Sequence, residues 1–137
     1  MSDLYHYRAR LARVVDGDTY DLVFDLGFGA RFKTRTRLLD VDTPEVRGPE
    51  RPDGLLATQV VVDWFAAVRA FDPLDEWPLL IHSHDRRSLA PSDPRKGKYG
   101  RWLVKVEHAY PTDLITRSLT EEIRNHNLDE NVPKEGA

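Results

Sequence analysis

Two carboxylate-rich stretches and a pair of arginines are the residues whose types and spacing carry chemistry in this chain. The first stretch is Asp16-Gly17-Asp18-Thr19 and the second is Asp40-Val41-Asp42-Thr43-Pro44-Glu45. Brought together, oxygens of this kind form a hard-ligand set suited to calcium or magnesium. Arg37 and Arg101 fall beside these stretches in the plan of the chain. A guanidinium grips a phosphate through two parallel hydrogen bonds and stays charged at any working pH. Two such clamps and a cation would stabilise the negative charge of a phosphoryl-transfer transition state. Glu45 is a candidate general base for an attacking water. Lys98-Tyr99-Gly100-Arg101 adds a lysine and a tyrosine suited to a terminal phosphate or a base. Each motif alone also has a plainer reading. Asp-Gly is a common turn, Asp-Thr-Pro closes a strand, and strand arginines are usually solvated.

Charge supports a phosphate-directed reading locally and not globally. The 137 residues carry a net charge of −3, which argues against nonspecific coating of nucleic acid. The basic residues are segregated, however. Arg31, Lys33, Arg35 and Arg37 form one run, and Arg86, Arg87, Arg95, Lys96, Lys98 and Arg101 form another with only Asp93 opposing. Such blocks support local phosphate binding on an acidic chain. There is no cysteine, so disulfides, thiolate metal sites and cysteine nucleophiles are excluded. His82 and His84 share a strand face, but the sequence places no third ligand with them. Trp64, Trp77 and Trp102 read as packing residues before stacking platforms. No stretch approaches the ~20 apolar residues of a membrane span. Met1 to His6 lacks a basic start followed by an apolar run, which sets the expectation of a cytoplasmic protein with no membrane partner.

The elements that must position these residues follow from hydrophobic period. Tyr5 to Val15 reads as a strand, with the Asp-Gly turn after it. Thr19 to Leu26 alternates, with Tyr20, Leu22, Phe24 and Leu26 on one face. Ala30 to Val41 is a third strand, with Phe32 and Leu38 opposite Arg31, Lys33, Arg35 and Arg37. Residues 47–54 are turn-rich, and from Leu55 to Phe71 the period becomes helical through Leu56, Val60, Trp64, Ala67 or Val68, and Phe71. Leu79 to His82 and the stretch around Trp102, Val104 and Val106 are the fourth and fifth strands. Pro111 and Thr112 open a last helix with Leu114, Ile115, Leu119 and Ile123 inward. The expected fold is α+β and mainly β: a five-stranded OB-type barrel, one long helix after strand 3 and a C-terminal helix. It occupies residues 1–126, and 127–137 is expected to be a flexible polar tail. Arg37 and Asp42 have opposite parity in a regular strand, so a bulge or an early turn must re-aim one of them.

Three stretches together resemble the staphylococcal nuclease (thermonuclease) family. They are Val14-Val15-Asp16-Gly17-Asp18-Thr19, Arg37-Leu38-Leu39-Asp40-Val41-Asp42-Thr43-Pro44-Glu45 and Lys98-Tyr99-Gly100-Arg101. The resemblance runs from about Val14 to Val106. It implies an OB barrel holding one calcium ion, with magnesium or manganese as alternatives. By the family pattern Asp18 and Asp42 are the metal carboxylates, Thr43 gives its backbone carbonyl, and Asp16 is a nearby supporting carboxylate. Arg37 and Arg101 clamp the scissile phosphate, Glu45 is the general base, and Lys98 and Tyr99 contact the nucleotide. The implied activity is cleavage of DNA or RNA to a 3′-phosphate and a 5′-hydroxyl, by a monomer with no obligate protein partner. The chain departs from the family at Gly27-Phe28-Gly29-Ala30, in the long loop from Asp85 to Lys98, and after the second helix. There the family has tyrosines that hold the base, and this chain has Asn125-His126-Asn127-Leu128-Asp129. The alternative reading is a catalytically inactive nuclease-like barrel that only binds nucleic acid. A protein-interaction scaffold is a third reading, which leaves the constellation of arginines and carboxylates unexplained.

Overall fold

Alternation sets the strands, and burial follows it. Tyr20, Leu22 and Phe24 lie on one face of their strand and all three are buried. The computed structural model of the protein describes residues 5–88 and 101–132, with only the backbone of 85–88. Five strands close into a barrel: β1 (His6–Asp16), β2 (Thr19–Asp25), β3 (Arg31–Leu38), β4 (Leu79–Ser88) and β5 (Arg101–His108). Their order around the barrel is β1-β2-β3-β5-β4, with β4 returning to pair with β1. All neighbours are antiparallel except β3 and β5, which run parallel through Thr36↔Trp102, Arg37↔Leu103 and Leu38↔Val104. A long helix, α1 (Arg51–Phe71), follows β3, and a short one, α2 (Leu119–Asn125), follows β5. This is the expected OB-type arrangement, an α+β fold built on a closed barrel.

β3 ends three residues before the expected Val41. The Leu39 N–H still donates to the Val104 carbonyl at 2.8 Å. Asp40 then takes a left-handed conformation with φ 62°, which ordinary residues reach only at a cost. This early turn is the device that the parity of Arg37 and Asp42 requires. Asp42 leaves the strand altogether and is re-aimed. β4 extends to Ser88, well past the expected His82.

α1 starts at Arg51, ahead of the expected Leu55, with Pro52 in its first turn, where a fixed φ favours helix entry. Val60, Trp64 and Val68 are buried as expected, together with Ala57, Val61 and Phe65. Leu56 and Phe71 are 52% and 42% exposed, because the buried stripe is centred one position further on than the apolar count indicates. The stretch Gly48–Phe71 is also long and apolar enough for a membrane span by length and composition, with mean hydropathy 1.3. That corrects the expectation that no stretch comes close. Here its apolar stripe packs against the barrel.

α2 is shorter than expected. Ser118 caps it by accepting a hydrogen bond from the Glu121 N–H at 3.4 Å, an N-cap that fixes the start at Leu119. Leu114 is therefore 84% exposed, outside the helix. Part of the polar C-terminal segment, residues 127–132, packs against the rest of the fold. Leu128 is buried in the core cluster, and Asp129 is 3% exposed.

Candidate active site

The two carboxylate stretches meet because one of them carries a glycine. β1 and β2 pair down to Asp16↔Thr19, with a register shift between Val14 and Asp16. Gly17 sits at the tip, its carbonyl accepting a hydrogen bond from the buried Tyr20 hydroxyl at 2.6 Å. A Cβ at Gly17 would lie 2.5 Å from the Thr43 Oγ1. The second turn packs onto that bare backbone. The Thr43 N–H then donates to Asp18 Oδ2 at 3.1 Å, and the Asp18 N–H donates to Asp16 Oδ1 at 3.2 Å.

Arg37 joins the two turns. Its Nη2 lies 3.4 Å from Asp18 Oδ2 and 3.4 Å from Asp42 Oδ1. Its side chain is 4% exposed, so this cation works in a partly dry environment where charge is felt strongly. Arg101 enters from β5, the neighbour of β3. Its Nη1 donates to Thr19 Oγ1 at 3.1 Å, and that hydroxyl donates to Asp18 Oδ1 at 3.2 Å. Arg101 is thereby tied to the same carboxylate as Arg37, through one hydroxyl.

Electrostatics extend the cluster. Burial lowers the Arg101 pKa, and the Arg37 charge lowers it further, while Asp18 and Asp16 oppose. The Asp42 pKa is raised, first by burial; the Arg37 charge counteracts this, and Asp18, Glu45 and Asp129 add to it. Asp16 is pushed up to about 6, first by burial and then by the Asp18 charge. Burial is the first cause of all three shifts. Neighbouring carboxylates add to it at Asp42 and Asp16, whereas at Arg101 the Arg37 charge adds to it and the carboxylates oppose it.

Glu45 follows Pro44 at the edge of this region and is exposed. Its N–H donates to Glu50 Oε2 at 3.0 Å. The first turn of α1 holds this segment. Gly54 packs so closely that a Cβ there would collide with the Glu45 carbonyl. Asp18, Asp42, Thr43, Arg37 and Arg101 are thus brought together, with Asp16 behind them and Glu45 at the rim. Lys98 and Tyr99 lie outside the described residues.

Sequence reasoning missed the support from the C-terminal segment. The Asp129 side chain is fully buried. Its Oδ1 accepts from the Asp42 N–H at 3.1 Å, and its Oδ2 accepts from Arg124 Nε at 2.8 Å. The Glu130 N–H donates to the Asp42 carbonyl at 2.7 Å. Both backbone groups of Asp42 are therefore held by residues far along the chain. The one available signal was Leu128, an apolar residue in an otherwise polar stretch.

The donor set suits a hard divalent cation. Two carboxylates from separate turns already share one positive partner, and the raised proton affinities of Asp42 and Asp16 mark a place where added positive charge is favourable. Among the described residues no group of three or more His, Asp or Glu side chains forms a ligand cage. A cation here would take Asp18 and Asp42 and complete its shell with backbone oxygen and water, as hard cations commonly do. Compared with known proteins, the chain matches no protein-family model and no curated sequence.

Proposed function

We propose that this protein is a metal-dependent nuclease of the staphylococcal-nuclease type, hydrolysing phosphodiester bonds of DNA or RNA. The observation that carries the reading is the position of Arg37. Its Nη2 stands 3.4 Å from a carboxylate of each turn, with Arg101 linked to the same Asp18 through Thr19. Carboxylates and guanidiniums converge on one place, and phosphoryl transfer is the chemistry that uses both.

In the proposed reaction Glu45 takes a proton from water, and the water oxygen forms a bond to phosphorus. The P–O5′ bond opposite breaks, and the leaving oxygen acquires a proton to become a 5′-hydroxyl, leaving a 3′-phosphate. Arg37 and Arg101 hold the non-bridging oxygens and offset the charge that accumulates on them. Thr19 and Asp18 fix Arg101 in position. A calcium ion held by Asp18 and Asp42, with Thr43 adjacent, would supply further positive charge at the phosphate. The exposed position of Glu45 suits a base that must meet solvent water.

A second reading draws on the same contact. Arg37 already neutralises both carboxylates, and a barrel in which this pairing persists would bind nucleic acid without cutting it. A plasmid-nicking assay separates the two. Nicking with calcium, lost with EDTA and in Glu45→Ala, supports the nuclease. Binding without nicking supports the silent barrel.

A further inference from the structure

Positive charge on the outer face of the barrel continues from Arg37 away from the proposed clamp. Alternation puts Arg31, Lys33, Arg35 and Arg37 on one side of β3, and the first three of these are exposed. Strand pairing spreads the pattern sideways. Arg35 lies opposite Asp21, and Asp21 opposite Arg13. Lys33 lies opposite Val23, and Val23 opposite Arg10. Arg31 lies opposite Asp25, and Asp25 opposite Arg8. Residues directly opposite in antiparallel strands share a face. Three charged rungs therefore follow the Thr19↔Arg37 pair in succession, each about 7 Å from the next.

This face carries more positive charge than its own acids can neutralise. Arg8, Arg10, Arg13, Arg31, Lys33 and Arg35 share it with only two strand carboxylates, Asp21 and Asp25. Arg35 pairs with Asp21 at 2.8 Å, and Arg8 with Asp75 at 2.8 Å. The Asp21 pKa is lowered, first by its hydrogen bond to Arg35 and further by the charges of Arg13 and Lys33, with burial opposing. The middle rung, Arg10–Val23–Lys33, has no acid at all. The chain as a whole has a net charge of −3, so the excess belongs to this face and not to the composition.

Exposed strand cations are ordinarily just solvated, but two of these are held in place. The Arg10 guanidinium stands 4.7 Å from the Trp77 ring centroid, and the Arg31 guanidinium 5.4 Å from the same ring. A guanidinium stacked on an aromatic face is fixed by its plane and keeps its N–H edge for another partner. That edge matches a phosphate. The rungs also have a direction. They lead along β3 into Arg37, the residue that joins the two carboxylate turns. An anion spread along this line, with a charge at each rung, is what the face complements, and a nucleic-acid backbone is such an anion.

We propose that the outer face of β1, β2 and β3 is a track for the phosphate backbone that flanks the bond at the clamp, so that the protein holds long strands more tightly than short ones whatever their sequence. The proposal rests on the reading of nucleic acid as substrate. Contacts of this kind position a strand and carry no base information.

The test uses the full chain carrying Glu45→Ala, with calcium, and fluorescent thymidine oligonucleotides, a tetramer and a dodecamer, followed by anisotropy across a salt series. The dodecamer should bind about tenfold or more tightly than the tetramer, with a steeper salt dependence. Lys33→Glu should lose most of that advantage and flatten the log–log salt slope of the dodecamer by about one unit, while tetramer binding stays within about twofold. Lys105→Glu is the control. It makes the same change of charge at an exposed lysine of β5, outside the track, and should leave the dodecamer's advantage in place. A thermal melt checks that both variants fold. Equal binding of the two lengths, equal losses in the two lysine variants, or no binding of the dodecamer overturns the track. Nicking by the wild-type chain in those cases leaves the nuclease reading in place. Length-dependent binding that needs Lys33, in a wild-type chain that never nicks, keeps the track and ends the nuclease reading.

Discussion

Gly17 lies against Thr43 so closely that a β-carbon on the glycine would stand 2.5 Å from the threonine hydroxyl and 2.9 Å from its Cβ. This contact docks the turn that carries Asp18 against the turn that carries Asp42. Both neighbours of the added carbon belong to a buried threonine whose N–H is engaged by Asp18, so there is little freedom to yield. Gly17→Ala is expected to push the turns apart and to cost about 1–3 kcal/mol, as overpacking does. Urea unfolding measures that loss. The calcium requirement for nicking should rise in the same variant, whereas Gly29→Ala, whose added carbon meets nothing within 4 Å and whose cost is the local strain of its φ of +77°, should leave that requirement unchanged.

Arg37 and Arg101 should differ in a way that a simple clamp model does not capture. Each variant to alanine is expected to lower the cleavage rate about 100-fold or more, the effect of removing one strong donor to a developing oxyanion. Arg37 also neutralises Asp18 and Asp42 directly. Arg37→Ala frees both carboxylates and should leave calcium affinity equal or higher while the rate falls. Arg101→Ala removes a link to Asp18 that runs through Thr19 and should lower the rate with little change in calcium affinity. Single-turnover rates and calcium titrations on both variants separate these outcomes. Wild-type rates in both would end the clamp assignment.

Asp129 is expected to act on the site through Asp42. It accepts the Asp42 N–H and pairs with Arg124. Asp129→Ala leaves the Asp42 N–H without that acceptor, which costs about 1–3 kcal/mol of stability. Beyond this general loss, Asp42 loses its anchor. The calcium concentration for half-maximal activity should rise, while the rate at saturating calcium stays within a fewfold of wild type. Asp129→Asn keeps an acceptor at Oδ1 and should recover most of the metal affinity. A variant in which only stability changes would show that the segment is scaffold and does not position Asp42.

Much of this arrangement was legible before any coordinates. Alternation through Tyr20, Leu22 and Phe24 and the Asp-Gly turn at Asp16-Gly17 are local signals, and they gave the hairpin and the barrel. The types and order of Asp18, Arg37, Asp42 and Arg101 were equally visible. What stayed hidden depends on partners remote in sequence. Asp129 reaches Asp42 across 87 positions, and no period or motif encodes that pairing. The phase of α1 escaped because apolar count alone puts Leu56 inward, while the inward face carries the small residues Gly54, which meets the Glu45 carbonyl, and Ala57, which is fully buried. The end of β3 escaped because the left-handed turn at Asp40 is held from outside. The Asp40 carbonyl accepts hydrogen bonds from Arg124 and Asn131.

Asp16 offers a test of the crowded charge at the site. Its pKa is raised to about 6 by burial and by Asp18, above an ordinary aspartate value near 3.8. A carboxylate whose folded pKa is raised binds its proton more tightly in the folded state than in the unfolded one. Its contribution is fully present below the unfolded value and is lost as pH rises through about 6. Above that, the ionised Asp16 is a net cost to the metal-free fold. Asp16→Asn retains an oxygen for the Asp18 N–H and removes the charge. In EDTA at pH 8 the variant should melt a few degrees higher than wild type, and the difference should disappear at acid pH, where the wild-type carboxyl is also neutral. Adding calcium at pH 8 should stabilise the wild type more than the variant, because the bound charge offsets a repulsion that the substitution has already removed. A melting difference independent of pH would mean that Asp16 is not sharing the charge of Asp18, and that the cluster is more open to water than the burial of Asp18 and Arg37 implies.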